Sequence, residues 1–258
     1  MDSDLIAYRL DGAVAVIGLN RPDKRNAIND GLIHALRAAV ERAHAEARVG
    51  VIHGVGKHFS AGLDLSEHLE RTPMEGLVNS RLWHKVFGEI ERGPIPFVAA
   101  LHGAVIGGGL ELAASASLRV ADASTYFALP EGQRGIFVGG GGSVRIARLL
   151  GVSRMSDMML TGRTFSAADG ERFGIVNYVT AEGAALDKAR EIAAKIATNA
   201  PMSNFAITNA LGRIQDLSYD DGLFMESLMA AMMSTSPESA ERLKAFLEKR
   251  TGRVTGPQ

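Results

Sequence analysis

Two glutamates, and the glycines around the first of them, carry the most chemical content in this sequence. Gly107, Gly108 and Gly109 run directly into Leu110 and Glu111. Three glycines ahead of a helix let the backbone approach a ligand closely. They also leave unpaired N–H groups, at the positive end of the helix dipole, pointing at it. A donor so placed can hold a carbonyl oxygen that gains negative charge. Glu111 then stands in the helix's first turn beside that point. By itself the segment reads equally well as a packing contact beneath a surface Glu. A second small-residue turn, Ser60-Ala61-Gly62-Leu63-Asp64, offers another backbone N–H to the same oxygen. Glu131, in Ala128-Leu129-Pro130-Glu131-Gly132, follows Glu111 by 20 residues. Alone it reads as a solvated loop residue. Held near one water with a partner, two carboxylates work as general base and general acid once burial and mutual repulsion separate their pKa values.

The elements that must position these groups follow from the hydrophobic pattern. Residues 13–19, 50–55, 97–101 and 118–121 are short apolar runs and predict buried strands. A helix opens near Asp30, with Leu32, Ile33, Leu36, Val40 and Ala43 as its apolar stripe and Arg37, Arg42 and His44 on a solvated face. A second amphipathic helix covers 76–91, stopped by Pro94 and Pro96. Between Glu111 and Glu131 the spacing predicts about two helical turns, one strand and a loop. Gly139 to Gly142 precede a helix over 143–150 and read as its close-packed start. Beyond residue 183 the pattern is helical, and Ser236, Pro237 and Glu238 mark the start of the last helix. The expected division is a core over 1–195 and a helical region over 196–258.

Composition narrows the function classes. The chain has 258 residues, 28 Lys+Arg against 29 Asp+Glu, and no cysteine. A formal net charge of -1 gives no basic field for nucleic-acid binding. Without cysteine there is no thiolate nucleophile, zinc finger or Fe–S cluster. No apolar run is long enough for a membrane span and no signal peptide is readable, so a cytoplasmic location is expected. The glycine-rich stretches lack the spacing of a dinucleotide or phosphate loop, and neither G-x-S-x-G nor H-E-x-x-H occurs.

Taken in order, N-R-P-D-K-R-N-A (20–27), K-H-F-S-A-G-L-D-L (57–65), H-G-A-V-I-G-G-G-L-E-L-A (102–113), L-P-E-G (129–132), L-T-G-R-T-F-S-A (160–167), G-I-V (174–176) and F-L-E-K-R (246–250) resemble the crotonase superfamily, and more narrowly the enoyl-CoA hydratase family. The match runs from about residue 5 to 250. It implies an α/β fold: a crotonase-like ββα spiral core with a C-terminal helical region used for trimerisation, as a homotrimer or a dimer of trimers. It further implies that the N–H groups of Leu63 and Gly108 form an oxyanion hole and that Glu111 and Glu131 are the catalytic pair. Lys24, Ala27, Ala61, Asp64 and Leu65 fall on segments that wrap coenzyme A. Phe246 and Lys249 match positions that approach the coenzyme A of a neighbouring subunit, although Leu243 and Leu247 share the stripe of Phe246 and give it an equal reading as core. Trp83, His84 and Phe87 are candidates for the acyl pocket. The expected partner is an acyl-CoA, and the only coenzyme is the one the substrate carries.

Two positions depart from the pattern: Val138 where relatives often have Pro, and Ser117 where they often have Asp. The expected reaction is addition of water to a 2-enoyl-CoA, with Glu131 as proton donor and Glu111 as base. An enoyl-CoA isomerase, a thioester hydrolase, and a non-catalytic CoA- or RNA-binding protein are the alternatives. The intact glutamate pair weighs against the first and the last, and a 30–48 helix without lysine weighs against RNA.

Overall fold

A computed structural model describes residues 5–68, 71–235, 237–248 and 250. Residues up to Ala197 form one compact unit and those from Thr198 a second. In chain order the first unit contains β1 (Ile6–Asp11), β2 (Val14–Leu19), α1 (Asp30–Glu46), β3 (Val49–Gly54), α2 (Leu65–His68), α3 (Pro73–Arg92), β4 (Phe97–Leu101), β5 (Ala104–Ile106), α4 (Gly108–Ala113), β6 (Leu118–Asp122), β7 (Tyr126–Ala128), α5 (Gly142–Leu150), α6 (Val152–Thr161), β8 (Phe165–Ser166), α7 (Ala167–Phe173), β9 (Tyr178–Thr180) and α8 (Ala185–Ala197). The second contains α9 (Pro201–Ile214), α10 (Tyr219–Ser234) and α11 (Pro237–Leu247). No described helix is long and apolar enough to cross a membrane.

Six strands form one sheet in the order β1-β2-β3-β4-β6-β9, parallel except for the β1–β2 hairpin. A smaller sheet, β5-β7-β8, lies beside it. Each turn of the chain gives one strand to the large sheet, one to the small sheet and then a helix: β4, β5, α4, and next β6, β7, α5. The turn before these does the same in reduced form, because Ser60 after β3 makes a single parallel bridge to Val105.

Alternation along the strands explains both faces of the large sheet. Every residue of β2 is buried. Ala15, Ile17 and Leu19 face the main core, where α1 and α3 pack, and Val14 and Val16 face the other side. That second face is covered by α8 through Ala185, Ala189, Ala193 and Ala197, a four-residue spacing of small side chains that lets the helix lie close to the strands. The stripe expected on α1 is buried as read, and Asn29 caps the helix by accepting from Leu32 N at 3.0 Å. Its polar face is less solvated than expected. Arg37 reaches Glu89 of α3 at 3.8 Å, and His44 sits edge-on to Phe97, where burial pushes its pKa down.

The helix expected over 76–91 begins earlier, because Thr72 and Glu75 form a capping box with Pro73 in the first turn. Between Glu111 and Glu131 lie two short strands, β6 and β7, after a helix of only six residues. The expected single strand is thus corrected: at Ser124–Thr125 the chain turns from the large sheet to the small one, with Ser124 and Thr125 bonded to Asp122. In the second unit α9 and α10 pack where Gly222 faces Ile214. Pro237 opens α11 as read; Ser236 lies outside the described residues.

Candidate active site

The small sheet brings the candidate groups to one edge. Ser60 bridges Val105, and Val105 pairs with Phe127, all in parallel. Parallel neighbours in register leave their strands on the same side, so the segments that follow emerge together: Ala61–Leu63, Gly107–Gly108 and Leu129–Glu131. A cavity of about 100 Å³ opens there, lined among others by Ala61, Leu63, Leu65, Gly107, Gly108, Glu111 and Glu131.

Each glycine of the 107–109 run has its own reason. Gly107 holds φ 50°, a left-handed conformation, and a methyl group there would lie 2.8 Å from Glu131 Oε1. On Gly108 a methyl would strike the Trp83 ring and come within 3.4 Å of Leu63 N. On Gly109 it would meet Ser60. The turn that carries Leu63 and the start of α4 at Gly108 therefore run close together, with the Trp83 ring packed beside Gly108. Leu63 sits in a bridge to Ile28 in which the flanking residues do the pairing, since Ile28 N donates to Gly62 O and Asp64 N to Ile28 O. Gly108 is the first residue of α4, beyond reach of an intrahelical acceptor. Among the described residues neither N–H has an acceptor, so both donors are free for a ligand oxygen.

Glu111 is buried, and its Oε1 accepts from Gly140 N at 2.8 Å and Gly142 N at 2.7 Å. Burial pushes its pKa up, while these amides pull against that shift by favouring the ionised form. The glycine run at 139–142 is thus more than the start of α5. It cradles a carboxylate, and a methyl on Gly142 would sit 2.9 Å from Glu111 Oε1. Glu131 is also buried, and its Oε2 has no hydrogen-bond partner. Burial first, and the charge of Glu111 second, push its pKa up to about 7. One cavity therefore holds a carboxyl whose pKa is pushed up to about 7 and a second carboxyl anchored by two amides.

This geometry meets a clear family signal. Residues 9–256 match the family model described as enoyl-CoA hydratase/isomerase. The chain belongs to that family. It is 32% identical over 253 residues to the short-chain-enoyl-CoA hydratase of Clostridium acetobutylicum, covering 97% of each protein. It is also 32% identical to the 2,3-dehydroadipyl-CoA hydratase of Escherichia coli, over 96% of this chain and 97% of that one. A crystal structure of a candidate enoyl-CoA hydratase from Rhodopseudomonas palustris superposes with TM-score 0.93 at 54% identity, covering 98% of both chains. One of an enoyl-CoA hydratase from Bacillus anthracis gives 0.90 at 31%, covering 98% of this chain and all of that one. The α/β architecture is that of the crotonase superfamily, and the protein is an enzyme of the hydratase/isomerase family.

Within this family member the other expected residues are spread more widely. Ala61 and Leu65 line the cavity; Lys24 is exposed and Ala27 half-buried, and neither lines it. Asp64 accepts from Ser66 at 2.7 Å and pairs with Arg21 at 3.1 Å, which hold its pKa low and fix the turn that carries Leu63. Trp83 lines the cavity, whereas Phe87 is fully buried behind it, edge-on at 5.5 Å, and His84 is not part of the lining. Phe246, Leu243 and Leu247 are exposed on α11, against the core reading of that stripe, and Lys249 lies outside the described residues.

Sequence reasoning missed Arg71, Asn79, Ser80 and Arg134, all in the lining. No spacing signal marks them. It also passed over Asn26, whose buried amide donates to Val55 O at 3.0 Å and His58 O at 2.8 Å, and whose Oδ1 accepts from Arg21 N. Asn26 has φ 54°, a conformation Asn tolerates, and so ties the 20–27 turn to the loop after β3.

Proposed function

We propose that the protein is a 2-enoyl-CoA hydratase. The observation that carries this reading is the pairing, in one cavity, of Glu131 with a partnerless oxygen and a pKa near 7 and Glu111 held by two amides. The thioester carbonyl accepts from Leu63 N and Gly108 N, which draws electrons from the double bond and makes C3 electrophilic. A water between the carboxyls loses a proton to Glu111 as its oxygen bonds to C3. The electron pair of the C2=C3 bond moves towards the carbonyl, and C2 then takes the Glu131 proton. Protons return to the resting arrangement through solvent. An isomerase needs only the Glu131 half of this arrangement, so a second carboxyl anchored beside it favours the hydratase reading.

Coenzyme A enters as part of the substrate, along Ala61 and Leu65, with Lys24, Ala27 and Asp64 on the same outer segments. Apolar side chains exposed on the C-terminal helices, such as Leu211, Phe224, Leu228 and Phe246, support assembly as a trimer or a dimer of trimers.

The test is loss of enoyl-thioester absorbance across a panel of 2-enoyl-CoAs, with product masses. The expected product gains one water and keeps coenzyme A. E111Q and E131Q each lower kcat by about 10²–10⁴-fold. Because the donor must be protonated, kcat/KM falls as pH rises through about 7. Release of free coenzyme A, or reaction of 3-enoyl substrates alone, would overturn the reading.

A further inference from the structure

The anchoring of Glu111 depends on groups outside the reacting pair. Its two amide donors belong to a run of four glycines, which has no side chains of its own to hold it in place. Helix α3 holds it instead, at two points. Ser80 Oγ donates to Gly139 O at 2.6 Å. A trans peptide points its C=O and the next N–H in opposite directions within one plane, so fixing Gly139 O towards α3 turns Gly140 N–H away from α3, towards Glu111. Arg145 of α5 donates from Nη1 to Gly140 O at 2.9 Å, and its Nε and Nη2 both bond Glu91 Oε2 of α3, at 3.0 and 2.9 Å. Gly141 N-caps α5 with φ 99°, and Arg145 Nη1 occupies the space a side chain at 141 would need.

We propose that Ser80, and Arg145 as held by Glu91, are positioning residues that fix the Gly139–Gly142 backbone so that its amides aim Glu111 at the reacting water. The proposal rests on the hydratase reading for the role of Glu111, but its geometry does not. A guanidinium suits the post because one planar fork reaches a carboxylate and a carbonyl at once, which an ammonium does less well. The arrangement also makes α3 a two-sided element: through Trp83 and Ser80 it lines the cavity, and through Glu91 it braces the carboxylate's support from behind.

Three variants separate positioning from plain electrostatics. The charged and titratable groups around Glu111 are Glu131, Arg71 and Arg134, which line the same cavity, Arg145 on α5, and His84 and Glu91 on α3. S80A changes no charge. E91Q leaves Arg145 positive and less neutralised, so charge alone would lower the pKa of Glu111. Loss of the amide bonds would raise it. R145K keeps the charge and gives up the fork.

Positioning therefore predicts that the acidic limb of the kcat profile, where Glu111 must be ionised, moves to higher pH in both S80A and E91Q. It also predicts that kcat falls about 10- to 100-fold in each, that KM in E91Q stays within about threefold, and that R145K is intermediate. Carbon-13 titration of the Glu111 carboxyl, assigned by its loss in E111Q, reads the same shift without turnover. If no enoyl-CoA is hydrated the proposed function falls, and this titration still decides the inference. Thermal unfolding confirms that each variant is folded under assay. Unchanged Glu111 titration in folded S80A and E91Q, or a downward shift in E91Q, overturns the proposal.

Discussion

Replacing Glu131 by Gln exposes the thermodynamic cost of a poised acid. The carboxyl titrates near 7 in the folded chain against an ordinary value of 4.5, chiefly through burial. Between those values the folded protein keeps a proton that the unfolded chain has released. Stability therefore falls as pH rises through this window, and the full penalty applies above it. At about 1.4 kcal/mol per pH unit the penalty is about 3 kcal/mol, counting Glu131 and its repulsion from Glu111 together. E131Q has no such titration. Its amide carries its own fixed cost at the site of the partnerless oxygen, so the two stabilities taken singly decide little. What matters is how their difference changes with pH. Denaturant unfolding of both proteins at pH 5 and pH 8.5, at one protein concentration because assembly shifts the apparent values, should show E131Q gaining about 2–3 kcal/mol on the wild type between the two conditions. Over the same interval it should have almost no hydratase activity. A difference that holds within about 0.5 kcal/mol across that range would refute the buried, proton-holding state of Glu131, and with it the argument that this residue is the donor.

Two further expectations concern the cavity. In G108A the added methyl meets Trp83 and closes on Leu63 N, so kcat/KM should fall by about 10²-fold or more with the fold retained; wild-type kinetics would show that these amides do not hold the carbonyl. Trp83 is the chain's one tryptophan and lines the cavity, so a non-reactive acyl-CoA thioester should change the intrinsic emission saturably, and emission indifferent to a thioester that binds by calorimetry would place the acyl group elsewhere.

The legible part of this site was the part whose chemistry is written in side-chain type. A glycine run ahead of a helix, a small-residue turn and two glutamates in ordered motifs pointed to the same groups that the small sheet gathers through Ser60, Val105 and Phe127. Strands β2, β3, β4 and β6 of the large sheet were equally legible because, buried on both faces, they read as unbroken apolar runs. The strands β5, β7, β8 and β9 were not, since at two or three residues each they are too short to show any period.

The support of Glu111 escaped for a different reason. Its two donors are backbone amides, which every non-proline residue possesses, so no residue type marks them. The glycines mark only that space is needed, and space beneath a helix start and space around a carboxylate look alike in sequence. Ser80 and Gly139 are 59 residues apart, and Arg145 and Glu91 54 apart, joined only once the spiral has turned. An amphipathic pattern on α3 reports which side meets the core, yet says nothing of which polar side chain at the edge of that stripe meets a loop carbonyl. A mechanism read from sequence therefore names the acid and the base more readily than the scaffold that sets them apart. Here the scaffold around Glu111 is a serine and an ion pair on the far side of four glycines, residues that no catalytic motif contains, and in the proposed mechanism it is they that set the strength of the base.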